Sequence, residues 1–453
     1  MSEQPCSWFD RLAQATLGLS VGHADGAIAA NPSAAYPLKI SARGRYLVDQ
    51  NDAPFLVVGD SPQALIGNLS EQDVEFFLAD RRQHGFNSIW VNLVCDAYTG
   101  CRDDGNTFDG VPPFTTAGDL STPNEAYFSR ADRYIDLAAA YGFNVFLDPI
   151  ETGGWLDILR ANGAASAYNY GRYLGSRYRN TRNIIWLNGN DFQSWQNARD
   201  DELVLAVARG ISGADPGHLQ TLELNYHVSS SLDDPRWVGL IQLESAYTYM
   251  PTYAEVLKDY NRRDARPVLM IEANYELQDA YRGPATLRRQ EFWSMLSGAT
   301  GQLYGNRYTW QFAKDWKDHL DSVGSRQFGY AAEMFGSRRW FDLVPDQQHL
   351  LVTAGSGTFS DAAASVNDND FAPAAMTPDA TLAVVYVPRE RTITVDMSRL
   401  SGPVRARWYD PSSNTYVRIG DSPLPNAGLR DFRTPGRNSD GDEDWALVLE
   451  VAP

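Results

Sequence analysis

Short apolar runs alternate with amphipathic stretches between about residue 55 and residue 340 of this chain. Runs of this kind are typical of strands that are buried on both faces, as in a parallel sheet. Eight strands are predicted in this way, at 55–59, 86–94, 144–150, 183–191, 219–225, 240–243, 267–272 and 301–305. The stretches between them have helical features; Ser70–Asp73, for example, resembles a capping box and predicts a helix through Gln83.

Eight strands that alternate with helices predict an α/β fold, the (β/α)8 or TIM barrel. A doubly wound open sheet is the alternative, and the sequence lacks the Gly-x-Gly-x-x-Gly motif that would favour it after the first strand. Residues 36–58 predict a small hairpin ahead of the barrel. After about residue 346, short alternating runs such as 382–387, 392–395, 406–409 and 445–449 predict a small all-β sandwich.

The predicted organisation is therefore an N-terminal arm at 1–35, a catalytic barrel at 36–345 and a C-terminal β-sandwich at 346–453. The arm is rich in Ala, Gly and Leu, but it has no basic cluster, and His23 and Asp25 interrupt its apolar stretch. We interpret it as a poorly ordered or locally docked arm rather than a standard leader peptide. The sequence leaves secretion, a periplasmic location and a cytoplasmic location open.

The charge balance excludes some partners. The formal net charge is −18, from 39 basic and 57 acidic residues, so nucleic acid and anionic membranes are not expected to bind. Aromatic residues reach 12%, with 12 Trp and 23 Tyr, which favours carbohydrate mildly because such rings stack on sugars. Residues 438–444 look superficially like a calcium loop but lack its ligand spacing, and we predict a solvated acidic loop there.

The three cysteines, Cys6, Cys95 and Cys101, do not form a disulfide framework. Cys95 and Cys101 are placed either to close a small loop or to remain as free, buried thiols. The sequence contains no Gly-x-Ser-x-Gly motif, no His-Glu-x-x-His motif and no phosphate-binding loop. Serine, zinc and nucleotide chemistry therefore have no support, and no metal or organic cofactor is expected.

Two acidic residues at predicted strand ends carry the chemistry. Asp191 ends the fourth strand directly after Asn190, and Glu272 ends the seventh, some eighty positions later. Barrel enzymes build their active sites at the carboxyl ends of the strands. A facing pair of carboxyl groups at such a site is the equipment of a glycoside hydrolase. The structural alternative is that each acid only caps a helix or pairs with an arginine.

Other polar residues near strand ends are candidates for binding sugar hydroxyl groups or for forming an aromatic wall. Any single one of them is more often structural than essential. They are Asp60, Asn92, Glu151, Asn190, Tyr226, His227, Glu244, Tyr247, Tyr304 and Asn306.

Several segments resemble the apiosidase-like (β/α)8 glycoside hydrolases, family 140. They are residues 59–65 (Gly-Asp-Ser-Pro-Gln-Ala-Leu), 81–87, 186–192 and 270–272 of the barrel, and 377–386 and 408–411 of the C-terminal region. The resemblance covers roughly residues 37–452. It implies that Asp191 is the acid/base, that Glu272 is the nucleophile, and that a terminal apiose is released from pectic side chains. The C-terminal region resembles a β domain with a collagen-binding label, which we do not transfer.

Gln63 departs from this family pattern. Pro62-Gln63 stands where the family commonly has Ala-Trp, so another furanose such as arabinofuranose, or a deoxy sugar, remains open beside apiose. The sequence predicts a retaining exo-glycosidase that acts on an oligo- or polysaccharide. An inverting glycosidase, a non-catalytic carbohydrate-binding protein on the same scaffold and an adhesion protein led by its β domain are the alternatives. The sugar, its linkage and the oligomeric state are not determined.

Overall fold

The computed structural model describes residues 34–193, 196–225, 230–278, 283–360 and 365–452. Most of the predicted arm, residues 1–33, lies outside these ranges. The predicted hairpin ahead of the barrel is present, and a third strand extends it to a small antiparallel sheet. Its three strands are β1 (Lys39–Ile40), β2 (Leu47–Val48) and β3 (Pro54–Phe55).

The predicted barrel is confirmed. Eight parallel strands follow the order β8-β7-β6-β5-β4-β11-β10-β9 in one sheet. The two outer strands of this order meet where the backbone N–H groups of Gln242 and Leu243 donate to the carbonyl oxygen of Gln220. The strands are β4 (Val57–Asp60), β5 (Ser88–Asn92), β6 (Asn144–Asp148), β7 (Ile184–Phe192), β8 (Gln220–Leu224), β9 (Glu244–Tyr247), β10 (Val268–Glu272) and β11 (Ala299–Tyr304).

Alternate positions of these strands pack on opposite sides, as the pleat of a strand requires. Trp90, Phe146 and Ile185 are neighbours in register and belong to one buried cluster, which fills the barrel. The intervening residues belong to a second cluster between strands and helices. The helices are α1 (Leu65–Asn68), α2 (Glu71–Gln83), α3 (Glu125–Ala140), α4 (Thr152–Tyr178, interrupted at Gly163), α5 (Ala198–Ala214), α6 (Thr252–Tyr260), α7 (Pro284–Leu296) and α8 (Val323–Gly336).

The predicted start of α2 is confirmed, because the Ser70 side chain accepts a hydrogen bond from the Asp73 backbone N–H. The sixth barrel strand was predicted at 240–243, and this position is wrong. The strand is Glu244–Tyr247, and the apolar run before it packs at the base of the barrel. The pattern misled because Glu244 and Ser245 are buried polar residues inside the strand, where Glu244 forms an ion pair with Arg262 and the Ser245 hydroxyl is hydrogen-bonded to that of Thr221.

The C-terminal strands form two sheets, in agreement with the predicted sandwich. A six-stranded sheet has the order β12-β14-β15-β20-β17-β18, and a three-stranded sheet has the order β13-β16-β19. A shared core lies between them. The strands are β12 (Val344–Pro345), β13 (Val352–Ala354), β14 (Ala374–Met376), β15 (Leu382–Val387), β16 (Thr392–Asp396), β17 (Val404–Asp410), β18 (Thr415–Leu424), β19 (Leu429–Arg433) and β20 (Trp445–Val451).

The outer face of the larger sheet packs against the barrel. Tyr386 and Tyr409 share one buried cluster with Phe292 of α7 and Phe335 of α8. β15 is therefore buried at every position, which explains its uninterrupted apolar run. Within the described ranges, no helix has both the length and the apolar character needed to cross a membrane.

The acidic loop at 438–444 binds a cationic side chain of the barrel. Arg288 of α7 is buried and donates to Asp444 at 2.8 and 2.9 Å and to Asp442 at 2.7 Å. Asp444 is itself only 1% exposed. The prediction of a solvated loop is thus wrong for Asp444, because a guanidinium group from a segment some 150 positions earlier neutralises the loop.

Candidate active site

Strand β7 contains three consecutive residues with positive φ just before its last residue, Phe192. Gly189, Asn190 and Asp191 have φ values of 112°, 74° and 58°, a region that residues other than Gly seldom adopt, although Asn and Asp tolerate it best. A Cβ atom on Gly189 would lie 2.2 Å from the carbonyl oxygen of Glu223, so only glycine fits there. The Thr152 hydroxyl donates to the carbonyl oxygens of Gly189 and Asn190. The unusual turn is therefore held from a second element.

This turn orients Asp191 by two hydrogen bonds. The Asp191 backbone N–H donates to Glu223 Oε2 at 3.0 Å, and the Tyr98 hydroxyl donates to Asp191 Oδ2 at 2.6 Å. Asp191 is half-buried. Its carboxyl group is thus positioned but still reachable by a ligand.

Glu272 ends strand β10 and is 6% exposed. The Tyr249 hydroxyl donates to its Oε1 at 2.5 Å, and the Tyr275 hydroxyl donates to its Oε2 at 2.8 Å. Burial and then the nearby Asp191 carboxyl group raise the pKa of Glu272 well above its usual range, although the tyrosine hydrogen bonds oppose this. The two predicted acids therefore lie in one electrostatic neighbourhood at the same end of the barrel.

Glu223 is a third acid in this neighbourhood and is not among the residues predicted from the sequence. It lies in β8, is 1% exposed, and its Oε1 has no hydrogen-bond partner among the described residues. Burial, Glu272 and Asp191 together raise the pKa of Glu223. An acid inside the apolar segment Leu222-Glu223-Leu224 was the signal that could have revealed it, because such a position is buried in a barrel strand.

A second group of polar side chains lies at the ends of the neighbouring strands β5 and β6. Asn92 and Asp148 are partners in register, and Glu151 follows three residues later. All three are buried. Within the described ranges, Asn92 Nδ2, Asp148 Oδ2 and Glu151 Oε1 have no hydrogen-bond partner. Buried polar atoms of this kind normally have partners, so they are available to a ligand with hydroxyl groups.

The pKa of Glu151 is raised above its ordinary value. The Thr99 hydroxyl donates to its Oε2 at 2.7 Å, and the Asp96 backbone N–H donates to the same oxygen at 3.1 Å. Burial, reinforced by the Asp96 carboxyl group, raises the pKa of Glu151 to about 8. At neutral pH its carboxyl group is mostly protonated, and it presents both a donor and an acceptor.

A disulfide between Cys95 and Cys101 resolves the choice that the sequence left open. The bridge closes the short loop that carries Tyr98 and Thr99, whose hydroxyl groups donate to Asp191 and Glu151. Both sulfur atoms lie within 3 Å of where a Cβ atom on Gly67 would be, so the loop is packed tightly on α1. The disulfide therefore holds two of the contacts that position the acids.

We expect the double substitution Cys95→Ala and Cys101→Ala to lower the free energy of unfolding by about 2 kcal/mol, because six positions separate the two cysteines and a bridge over so short a loop removes only modest entropy from the unfolded chain. Urea unfolding with and without dithiothreitol measures this effect. Reductant is expected to lower the free energy of unfolding of the native chain to that of the variant and to leave the value for the variant unchanged. Equal stabilities in the absence of reductant would contradict the prediction.

Four predicted binding residues lie elsewhere. Asp60 is buried against Arg81 of α2, at 3.3 Å, so it faces the helices. Glu244 begins β9, opposite the first residue of β10, and its ion pair with Arg262 lies at the far end of the barrel from Glu272. For these two residues the predicted role in binding is wrong.

The other two displaced residues share one partner, Glu276. The Tyr304 hydroxyl donates to Glu276 at 2.5 Å, and the Asn306 amide donates to both Glu276 and Tyr304. The polar atoms of Tyr304 and Asn306 are therefore engaged within the protein, and the predicted role in binding is wrong for them as well. Tyr247 does lie beside the site, since its hydroxyl donates to that of Tyr249 at 3.0 Å. The predicted residues Tyr226 and His227 lie outside the described ranges.

The site is acidic. Within the described parts of the chain, none of its six acids forms an ion pair with Lys, Arg or His; they are Asp96, Asp148, Glu151, Asp191, Glu223 and Glu272. No group of three or more His, Cys, Asp or Glu side chains among the described residues has the arrangement of a metal site. The arrangement suits the binding of an uncharged polyhydroxylated ligand between two positioned carboxyl groups.

Comparisons with known proteins agree with this geometry. The sequence profile of the family "Apiosidase-like, catalytic domain" matches residues 41–342. The profile of the family "Putative collagen-binding domain of a collagenase" matches residues 359–450. No curated protein matches the sequence significantly.

Solved structures share the fold. One, described as a glycoside hydrolase, has a TM-score of 0.77 and 22% identity, over 92% of this chain and 97% of its own. A glycoside hydrolase family 5 protein from Bacteroides vulgatus ATCC 8482 has a TM-score of 0.77 and 21% identity, over 91% of this chain and 93% of its own. At identities of 22% and 21%, these likenesses show a shared fold over nearly the whole chain.

Proposed function

Since this chain belongs to the apiosidase-like family and is a glycoside hydrolase, we propose that it releases one terminal sugar, a furanose or a deoxy sugar, with retention of configuration. The observation that carries the proposal is the pair Asp191 and Glu272 at one end of the barrel. Tyr98 holds the first acid, and Tyr249 and Tyr275 hold the second.

In the first step Glu272 attacks the anomeric carbon, and the bond from that carbon to the leaving oxygen breaks. Asp191 gives its proton to the leaving oxygen, so the departing alcohol is neutral and a glycosyl ester forms on Glu272. The hydroxyl groups of Tyr249 and Tyr275 donate to the ionised Glu272, and they aim the carboxylate before the attack.

In the second step Asp191 takes a proton from water while the water oxygen attacks the anomeric carbon. The ester bond to Glu272 breaks, and the sugar leaves with the configuration that it had in the substrate. The Glu223 carboxyl group accepts from the Asp191 backbone N–H and keeps the Asp191 turn in place during both steps.

The remaining polar side chains would bind the hydroxyl groups of the sugar. Asn92, Asp148 and Glu151 offer the unpartnered atoms described above, and Asn190 offers its buried Oδ1. We propose a neutral sugar rather than a uronic acid, because a further carboxylate among these acids would be repelled by those that are ionised and would find no cationic partner among the described residues of the site.

A panel of aryl furanosides, aryl deoxyhexosides and arabinan and pectic fragments tests the proposal. We expect release of a monosaccharide from at least one neutral furanoside or deoxyhexoside and no release from uronides. Proton NMR of the first product identifies its anomer and hence the stereochemistry. An inverted product would replace the retaining mechanism by the inverting one, and the absence of turnover on every member would favour a carbohydrate-binding protein.

The pH dependence should follow Glu272. It has to be ionised to attack, and its raised pKa places the acidic limb of kcat/KM above pH 5. Tyr249→Phe removes a donor that favours the ionised form, so the pKa of Glu272 rises further. We expect the limb to move to higher pH by about one unit. Tyr168→Phe, on the exposed side of α4, is the control. A limb that stayed in place or moved to lower pH in Tyr249→Phe would contradict the assignment.

A further inference from the structure

Gln63 contacts the ends of three barrel strands. It lies in the loop after β4 and is 4% exposed. Its backbone carbonyl oxygen accepts from the Asn92 N–H at 2.9 Å. Its side-chain Oε1 accepts from Asn190 Nδ2 at 3.1 Å, and its Nε2 donates to the Tyr275 hydroxyl at 3.1 Å. Both ends of the Gln63 amide are therefore in use.

This chain of hydrogen bonds continues to Glu272. When Glu272 is ionised, only one assignment of donors and acceptors is consistent along the chain. An ionised carboxylate accepts only, so the Tyr275 hydroxyl must donate to Glu272, as observed at 2.8 Å. The Tyr275 oxygen then accepts, and it receives the Nε2 group of Gln63. This choice leaves Oε1 of Gln63 as an acceptor. Asn190 has to present its Nδ2 group to it, since the reverse orientation would place two acceptors face to face.

One atom remains at the end of this chain of hydrogen bonds. Asn190 Oδ1 is buried, within a residue that is 2% exposed, and it has no partner among the described residues. It belongs to the residue directly before Asp191. An acceptor at this point is complementary to a hydroxyl group that donates, and it offers nothing to an ether or to a carbon without a hydroxyl group.

We propose that Gln63 is a positioning residue that ties the amide orientation of Asn190 to the ionised state of Glu272. The site therefore selects a sugar with a free hydroxyl group beside its anomeric carbon. This inference rests on the proposed function. Gln63 touches neither the reacting atoms nor the sugar; it acts through Asn190 and Tyr275. An acceptor facing the selected hydroxyl contributes most in the transition state, when positive charge on the anomeric carbon makes that hydroxyl a stronger donor.

The test combines a substitution in the protein with the removal of one hydroxyl group from the substrate. The probes are the aryl glycoside that the panel shows to be cleaved fastest and its 2-deoxy counterpart. We expect the native chain to lose about 100-fold in kcat/KM when the hydroxyl is removed. Gln63→Leu should lose about 10-fold on the hydroxylated probe, because Asn190 is no longer oriented, and less than about 3-fold on the 2-deoxy probe. Gln83→Leu, at an exposed position of α2, is the matched control and should change neither value.

A second variant gives a readout that a merely structural role would not move. Gln63→Glu keeps the shape of the side chain, and its protonated carboxyl group can still donate to Tyr275 and accept from Asn190. Its ionised form can only accept. We expect selectivity between the two probes to stay near native at every pH, because both forms accept from Asn190 Nδ2. We expect kcat to fall on both probes as pH rises through the pKa of the new group, because the Tyr275 hydroxyl then turns from Glu272 to the new carboxylate. The same variant serves if Gln63→Leu does not fold.

The outcomes separate the two claims. Equal losses on both probes for Gln63→Leu, or a pH dependence of kcat that Gln63→Glu leaves unchanged, would overturn the role of Gln63 and leave the glycosidase intact. Absence of turnover by the native chain across the panel would overturn the proposed function, and the inference would fall with it.

Discussion

Glu272→Gln is expected to lower kcat by at least about 10⁴-fold on every substrate, because an amide cannot form the glycosyl ester. The substitution keeps the size of the side chain. One of the two tyrosine hydroxyl groups that donate to Glu272 can still donate to the amide oxygen, and the other can accept from the amide nitrogen. Folding should therefore be retained, and the loss reports chemistry. Steady-state kinetics on the best aryl glycoside, with circular dichroism of the variant, make the measurement.

The effect of Asp191→Asn on kcat should depend on the leaving group of the substrate. We expect kcat to fall by about 10²–10⁴-fold on a natural glycoside, whose alcohol needs a proton to depart. An aryl glycoside with an acidic phenol needs little protonation, so formation of the glycosyl ester should be nearly native and its hydrolysis should become the slow step. A burst of phenol would then precede a slow steady state. A loss that did not depend on the leaving group would contradict the role of Asp191 as acid and base.

Glu244→Gln is the matched control for both substitutions. Glu244 is a buried acid in a barrel strand, as Glu272 is, but it pairs with Arg262 at the opposite end of the barrel. We expect its loss to lower stability while kcat stays within about 3-fold of the native value, since effects at distant sites are independent. A fall in kcat comparable to that of Glu272→Gln would show that any buried acid of the barrel is needed, and it would remove the support for a special pair.

Arg288→Met is expected to lower the free energy of unfolding by about 3–5 kcal/mol. Arg288 is 1% exposed, and its guanidinium group donates to Asp444, Asp442 and the Gln327 side chain. Without it, the carboxylate of Asp444 is left buried with no cation, which is the costly part of breaking such a pair. Denaturant unfolding followed by tryptophan fluorescence measures the change.

Two further variants decide how to interpret that loss. Arg130→Met removes an ion pair with Asp109 whose side chains are 20% and 42% exposed, and we expect a smaller loss there than for Arg288, because water still screens the pair. Adding Asp444→Leu to Arg288→Met removes the stranded charge and should restore part of the stability. If Arg288→Met cost no more than Arg130→Met, the contact between the acidic loop and the barrel would not stabilise the fold.

The misplaced residues have a common cause. Asp60 and Tyr304 were predicted at the site because each ends a strand, but both face the helices, where Arg81 and Glu276 bind them. Successive side chains of a strand point to opposite sides, so a shift of one position exchanges the pocket for the helix layer. Glu244 failed for a related reason, since its strand begins four residues later than the apolar run that predicted it.

The sequence by itself determined the order of strands and helices, the change to β structure near residue 346 and the positions of Asp191 and Glu272 at strand ends. Hydrophobic periodicity and strand length are local properties, so they can be recognised one segment at a time. Only the tertiary structure decided that Cys95 binds Cys101, that Glu223 supports Asp191, and that Gln63 connects Asn190 with Tyr275. The contact between Gln63 and Tyr275 joins segments about 210 positions apart and depends on the closure of the barrel, which no local pattern encodes. The disulfide is local, but the spacing of its cysteines fits a bridge and free thiols equally well.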